Sequence, residues 1–152
     1  MTNLWTPLAE HTISGTTASV TFNSIPQGYR DLALVAEFNV GANGVLELAY
    51  NNSYSNLNRV RIMNIGSGDY YTDTNAGEAG SGDNRSHAIY HIFDYSSTTL
   101  HKNAIMRTGG DNYKTMLTAQ RWGSSDAVTS LKISFNQNFV SGTFYLYGSS
   151  LG

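Results

Sequence analysis

The stretch that decides the fold is Thr21-Phe22-Asn23-Ser24-Ile25-Pro26-Gln27-Gly28-Tyr29-Arg30-Asp31-Leu32-Ala33-Leu34. Just before this stretch and into its first residues, Ala18, Val20 and Phe22 alternate with polar residues. This is the two-residue period of a strand with one face against a core. The pair Ile25-Pro26 and then Gly28 predict a turn, because proline fixes φ and glycine accepts a positive φ. The alternation resumes from Leu32 to Val40, which predicts a second strand.

The same alternation recurs along the chain at intervals of roughly 8 to 12 residues, with turn-forming residues between the strands. The predicted strands are 4–13, 18–22, 32–40, 45–50, 57–65, 85–94, 100–108, 113–122, 128–135 and 143–147. In the strand over 57–65, Val60 and Ile62 share one face. Residues 66–84 form the longest irregular segment, and no stretch shows a helical period over three turns. The pattern therefore predicts one all-β domain over 1–152, an antiparallel sandwich or barrel.

Composition excludes several classes of protein. Hydrophobic residues make up 40% of the 152, but no apolar run approaches the roughly 20 residues of a membrane helix. Met1-Thr2-Asn3-Leu4 lacks the basic start of a signal peptide, and no cysteine is present for disulfides or thiolate metal sites. The nine Lys and Arg residues are scattered among eleven acidic ones, so neither a nucleic acid nor a membrane is an expected partner.

Charged residues are only 13% of the chain, against about 25% in an average globular protein. Ser, Thr, Asn, Gly and Tyr supply the polar surface instead. Depletion of charge with enrichment of Tyr is typical of interface cores. It is equally typical of all-β proteins, which use Thr and Tyr heavily in strands. Both interpretations stay open from composition alone.

A resemblance to a known family begins in the opening stretch, where Phe-x-x-Ile-Pro-x-x-Tyr-Arg-Asp-Leu runs from Phe22 to Leu32. Further pieces follow in order at 52–55, 92–96, 122–131 and 142–148. Together they resemble small virion proteins of tailed bacteriophages that are built as β-sandwiches of jelly-roll type. The resemblance implies two antiparallel sheets with Greek-key connections. The residues expected between those sheets are Val20, Phe22, Leu32, Leu34, Leu131, Ile133, Phe144 and Leu146.

The sequence offers little catalytic or metal-binding chemistry. His87 and His91 are four residues apart on a predicted strand, about 13 Å from each other, and so do not share one ion. Asp69, Asp73, Glu78 and Asp83 concentrate negative charge in the long loop, but their spacing is not that of an EF-hand. Neither a nucleophile elbow nor a phosphate-binding glycine loop is present. We therefore expect no enzyme activity, no metal and no cofactor.

The candidate binding residues lie near strand ends or in the long loop. They are Trp5, Asp69, Tyr70, Tyr71 and Trp122. Exposed aromatic rings at such places can stack on sugars or fill a subunit interface. The alternative is that Trp122 caps the core and Trp5 packs between subunits, because tryptophan is commonly used for packing or association.

The family resemblance implies a component of the virion, assembled in the host cytoplasm, and leaves its position open. The first interpretation is a capsid cement, or decoration, protein that binds the head exterior as an oligomer, with itself as a homotrimer and the major capsid protein as partners. The second is a tail fibre or baseplate module that binds host-surface glycan. A glycoside-acting enzyme is the third, with no nominated residue. Residues 1–7 are a candidate arm that reaches a neighbour.

Overall fold

The computed structural model describes residues 4–64, 70–73, 80–82, 84–111 and 115–150, with the backbone alone for 70–73 and 80–82. Eleven strands account for most of these residues. They are β1 Thr6–Ile13, β2 Thr17–Phe22, β3 Asp31–Val40, β4 Gly44–Tyr50, β5 Leu57–Asn64, β6 Tyr70–Asp73, β7 Gly80–Gly82, β8 Arg85–Phe93, β9 Lys102–Gly110, β10 Thr115–Trp122 and β11 Leu131–Ser149. Within these ranges no helix is long and apolar enough to cross a membrane.

All described strand pairs are antiparallel, and the strand β11 connects two layers. Residues 139–149 of β11 pair with β1 and β3, and the same layer continues through β8, β9, β10, β5 and β6. Residues 131–135 of β11 pair instead with β2 and β4, and β4 pairs with β7. We call these the front layer and the back layer. The first five strands alternate between the two layers.

The two layers pack face to face as a sandwich. Phe38 of the front layer lies 6.4 Å from Phe135 of the back layer, measured between ring centroids. At the other end of the interior, Tyr50 of β4 stacks on Trp122 of β10 at 5.3 Å and an interplanar angle of 10°. The sequence prediction of a core is confirmed, because all eight residues expected between the sheets are buried.

The turn after β2 is held in place by the rest of the sandwich. The Ile25 backbone N–H donates to the Thr129 carbonyl at 3.0 Å, and the Arg30 N–H donates to the Ser149 carbonyl at 2.8 Å. The Tyr95 N–H donates in turn to the Arg30 carbonyl at 3.2 Å. This turn therefore ties both ends of β11 to the loop after β8, which explains why the opening stretch organises the fold.

Two predicted boundaries were wrong, and the candidate arm is described only in part. The strands expected at 128–135 and 143–147 are parts of one strand, β11, because the polar residues 136–138 continue the strand where a turn was expected. The segment 66–84, expected to be irregular, contains β6 and β7. Of the candidate arm at 1–7, Thr6 and Pro7 belong to β1 and pair with Gly148 and Tyr147; residues 1–3 lie outside the described ranges.

Candidate interaction face

The outer side of the front layer carries two rows of largely apolar side chains. The strand register aligns these residues across six neighbouring strands, in the order β11, β3, β8, β9, β10 and β5. One row is Tyr147, Ala33, His91, Ile105, Ala119 and Val60. The next row is Tyr145, Val35, Ile89, Arg107, Leu117 and Ile62. We call these two rows the outer face.

The residues of the outer face point away from the core, because their neighbours along each strand are buried. On β5, for example, Leu57, Arg59, Arg61 and Met63 face inward. Four aliphatic side chains of the outer face are about half exposed: Val60 at 54%, Ile62 at 50%, Ile105 at 49% and Leu117 at 48%. They are adjacent across β5, β10 and β9, so they form one contiguous patch.

The back layer gives the contrasting case. Its outward residues are mostly polar, and the register places Thr21 beside Lys132 and Ser19 beside Ser134, with Glu47 on the other side of Ser134. An antiparallel sheet with one solvated face ordinarily alternates apolar inward and polar outward residues. The back layer follows that rule and the front layer does not, so the outer face is the candidate surface for association.

A shallow groove of about 630 Å³ crosses the outer face where the side chains are shortest. Its floor is at Ala119, between Val60 of β5 and Ile105 of β9. Asn58, Asn103 and Arg121 form one register row beside this floor, and Phe93 closes the groove. The groove thus combines an aliphatic floor with a polar border, as ligand and protein-docking sites commonly do.

Two exposed arginines, Arg107 in the outer face and Arg121 in the register row beside it, have no carboxylate partner among the described residues. Arg107 lies in the second row between Ile89 and Leu117, and its side chain has no hydrogen bond or ion pair among the described residues. Arg121 contacts a ring nitrogen of the exposed His101.

The nearby acidic groups are already paired with other arginines. The Glu37 carboxylate accepts from Arg85 Nε at 3.0 Å, and this hydrogen bond lowers the pKa of Glu37. Asp94 accepts from Arg30 Nε at 3.3 Å. The charge that the face leaves without an internal partner is therefore positive.

Trp5 lies at one border of the outer face, half-buried. Its ring meets the His91 ring edge-on, with centroids 5.3 Å apart, and His91 lies 4.1 Å from the Phe93 ring. His91 Nε2 is 3.8 Å from Asp31 Oδ2. Trp5 is thus the one sequence-predicted candidate whose described side chain borders this surface.

The other sequence-predicted candidates contribute no described side chain to this surface. Trp122 is 4% exposed, and its ring stacks on Tyr50 inside the core, so it has no free face for a sugar. The stacking hypothesis for Trp122 is therefore wrong in this chain. The backbones of Tyr70 and Tyr71 lie in β6, paired with Asn64 and Met63. Asp69 and the other acidic residues of the long loop, Asp73 excepted, lie outside the described residues.

The structure also shows the positions of His87 and His91 and of other side chains that could bind a metal. His87 and His91 both lie on the outward side of β8, as the strand prediction required. No group of three or more His, Asp or Glu side chains that could hold a metal ion occurs in the part of the chain that the structure describes.

Sequence reasoning missed most of the outer face, although a signal was present. It grouped Val60 with Ile62 on one side of a strand, but the strand has apolar residues on both sides, so the pattern could not show which side faces water. Register supplies the missing information, because it brings Leu117 and Ile105 beside Ile62 and Val60.

Comparison with models of known protein families finds no match, and no curated protein matches by sequence. Among solved structures, the crystal structure of exo-inulinase from Aspergillus awamori is similar, with a TM-score of 0.51 and 18% sequence identity. The match covers 94% of this chain and 29% of that chain, so this chain spans less than a third of the exo-inulinase length. At this identity the likeness concerns the fold alone, and it agrees with the predicted β-sandwich, which is confirmed.

Proposed function

We propose that this chain is a structural protein of a tailed-phage virion, a cement or decoration protein that binds the exterior of the head as an oligomer and stabilises the shell. The single observation that carries the proposal is the outer face, an apolar surface on a layer that would otherwise be polar. The family resemblance supports the assignment to a virion, and the outer face supports the attachment to another surface. Its partners on this proposal are further copies, as a homotrimer, and the major capsid protein.

The outer face has enough apolar surface to contribute measurably to attachment. Fully burying one aliphatic side chain is worth roughly 1.5 to 3 kcal/mol, so burying the exposed half of one contributes about 1 kcal/mol. The four half-exposed aliphatic side chains would together contribute about 4 kcal/mol per subunit. The strands that present them are already ordered, so little conformational entropy is lost when they dock.

Many weak attachments suit a protein that is present in many copies on a shell. Each subunit of a symmetric oligomer would offer the same face, and linked sites bind far more tightly than single ones. Stabilisation then follows from mass action, because a protein that binds only the assembled shell shifts the equilibrium toward that shell. No catalytic group is required for this role.

The second candidate is a tail fibre or baseplate module that binds host-surface glycan. The observation in its favour is that the rings of Trp5 and Phe93 are half-buried at the border of the same face, and that Phe93 lines the groove together with the amide side chains of Asn58 and Asn103. Aromatic rings beside amides suit a sugar, which has both apolar faces and hydroxyl groups. The buried position of Trp122 removes the second tryptophan from this alternative.

Location in the particle distinguishes the two candidates. The test is immunogold electron microscopy of purified virions with an antibody raised against this protein, with virions blocked by excess free protein as the control. Gold over the head in many copies is the result expected for a cement protein. Gold confined to the tail tip would reject the cement protein in favour of the glycan-binding tail module. Absence of specific gold would overturn the virion assignment.

A further inference from the structure

We infer that the outer face docks on a different protein whose surface presents an aliphatic side chain flanked by carboxylates, and not on the same face of a second copy. This inference rests on the proposed function, since it specifies the chemistry of the surface to which the chain attaches. Two features carry it: the depression at Ala119 and the positive charge around that depression.

The depression at the floor of the groove has room for an aliphatic side chain of a partner. Ala119 contributes only a methyl group, whereas its register neighbours Val60 and Ile105 are larger and half exposed. Along β10, Leu117 and Arg121 stand two residues away on either side and point to the same side of the sheet. Four larger side chains therefore surround a small one, which leaves a hole for a knob from a partner.

The charges around the hole require carboxylates on that partner. Arg107 and Arg121 both lie on the exposed side of the sheet, and neither has a carboxylate partner among the described residues. The carboxylates of Glu37 and Asp94 are held by Arg85 and Arg30. A partner surface with acidic groups beside the aliphatic knob would complement this arrangement and steer the encounter.

The same charges disfavour pairing of two identical faces. A two-fold contact would place the same patch of both subunits together. Each copy would then bring Arg107 and Arg121 to the contact without a free acidic group of the described outer face to meet them. Like charges at an interface cost affinity. The oligomer of the proposed function would have to form through another surface, and the outer face would stay available for the shell.

The probe is a nine-residue peptide in which leucine alternates with aspartate, compared with two control peptides. One control replaces the aspartates with lysines, and the other replaces the leucines with serines. Binding to the full chain is followed by NMR, with isotope labels on the backbone amides and the methyl groups. We expect shifts at Val60, Ile105 and Ala119 with the leucine-aspartate peptide, at least tenfold weaker binding of both controls, and weaker binding in high salt.

Two variants test the two features separately. Ala119→Leu fills the hole and should weaken peptide binding by about tenfold, whereas Ala18→Leu on an exposed position of the back layer should leave it unchanged. The double variant Arg107→Glu with Arg121→Glu should prefer the leucine-lysine peptide. That reversal of preference would not arise from a merely structural role of the arginines.

Any of three results with the peptides would overturn the inference: equal binding of the acidic and basic peptides, shifts located away from the outer face, or no binding of any peptide. A concentration-dependent association in sedimentation equilibrium that Ala119→Leu abolishes would assign the face to a second copy and also overturn it. Failure here with gold over the head would leave the cement proposal standing. If the peptides bind as expected but no gold labels the virion, the cement proposal is overturned, whereas the inference about the aliphatic and acidic groups of the partner still stands.

Discussion

Two tyrosine side chains, Tyr50 and Tyr90, are fully buried between the layers although each carries a hydroxyl group. Burial raises the pKa of both phenols above their ordinary value of 10.0. The Tyr90 hydroxyl has no hydrogen-bond partner among the described residues. A buried hydroxyl without a partner costs about 1 to 3 kcal/mol of stability relative to a satisfied one. Tyr90 is therefore a place where the core could be improved.

We predict that Tyr90→Phe leaves the free energy of unfolding at pH 7 unchanged or raises it by up to about 1 kcal/mol. Above pH 10 the unfolded chain loses the phenol protons that the folded chain keeps, so the unfolded state binds fewer protons and stability falls as the pH rises. Removing one phenol should make that fall shallower, so the variant should be clearly more stable than the natural chain at pH 11. Urea unfolding at both pH values measures this, and a loss of 2 kcal/mol at pH 7 would show that the hydroxyl is hydrogen-bonded.

Buried charge is the part of the core that the sequence could not predict. Lys102 is fully buried, and its ammonium donates to the carbonyls of Ser97 and Leu100 at 2.7 and 2.6 Å. Arg59 is also buried, and its Nε donates to Gln120 Oε1 at 2.7 Å. Lysine and arginine are almost never buried unless they are paired. Gln120 lies 61 residues from Arg59 along the chain, and these carbonyl partners of Lys102 lie in the loop just before β9, so strand alternation reveals neither pairing, whereas buried Leu and Phe positions follow directly from it.

At the scale of the element, β11 is the strand that belongs to both layers, because one part of it pairs with front-layer strands and the other part with back-layer strands. Its change of partners takes place between Ser134 and Phe139, where the pairing with β2 is irregular, and between Phe139 and Ser141, where the register with β3 shifts. Such a bulge bends a strand and increases its twist. The sequence showed two apolar runs separated by Asn136-Gln137-Asn138, which resembles a turn. Only the partners on both sides show that the strand continues.

Gly142 follows this bulge at a point where two backbones approach closely. A Cβ atom added there would lie 2.7 Å from the Glu37 carbonyl oxygen and 2.8 Å from the Phe38 Cα atom. These are backbone atoms of β3 and cannot rotate away. We predict that Gly142→Ala lowers the free energy of unfolding by about 1 to 3 kcal/mol, as overpacking does.

The matched control for Gly142→Ala is Gly15→Ala, because an added Cβ at Gly15 meets no atom within 4 Å. We expect the control to change stability by no more than about 0.5 kcal/mol, as for most exposed positions. Chemical denaturation of both variants measures the difference. Equal effects of the two substitutions would show that the close approach at β3 relaxes without cost.

Strand β5 shows why the candidate face was harder to predict than the core. Its inward side carries Leu57, Arg59, Arg61 and Met63, and its outward side carries Val60 and Ile62. Both sides mix apolar with polar residues, so alternation predicts a strand without showing which side is buried. In β3 the inward side is entirely apolar, whereas the outward side mixes Ala33 and Val35 with Glu37 and Asn39, and the prediction there was right. A strand's buried side is therefore predictable only where its two sides differ clearly in polarity.

At the scale of the whole molecule, the outward surfaces of the two layers differ in polarity. The back layer presents mostly hydroxyl and charged groups, such as Ser134, Lys132 and Glu47, and the front layer presents aliphatic side chains beside arginines that have no carboxylate partner among the described residues. Burial of the inward residues is complete without the outer face, because the core cluster lies between the layers. We therefore expect the outer face to contribute only slightly to folding and to remain available for the association proposed above, a division that substitution can test.

The test replaces the cross-strand neighbours Ile62 and Leu117 together by threonine. Both side chains are about half exposed, and threonine suits a strand, so we predict a loss of less than about 1 kcal/mol in the free energy of unfolding. Retention on a hydrophobic interaction column should fall clearly, because the patch is lost. The reference is Phe22→Ala in the core, for which cavity formation predicts a loss of about 3 to 5 kcal/mol with little change in retention. If the threonine pair instead cost as much as Phe22→Ala, the outer face would belong to the folding core, and neither the attachment proposal nor the docking inference could rest on it.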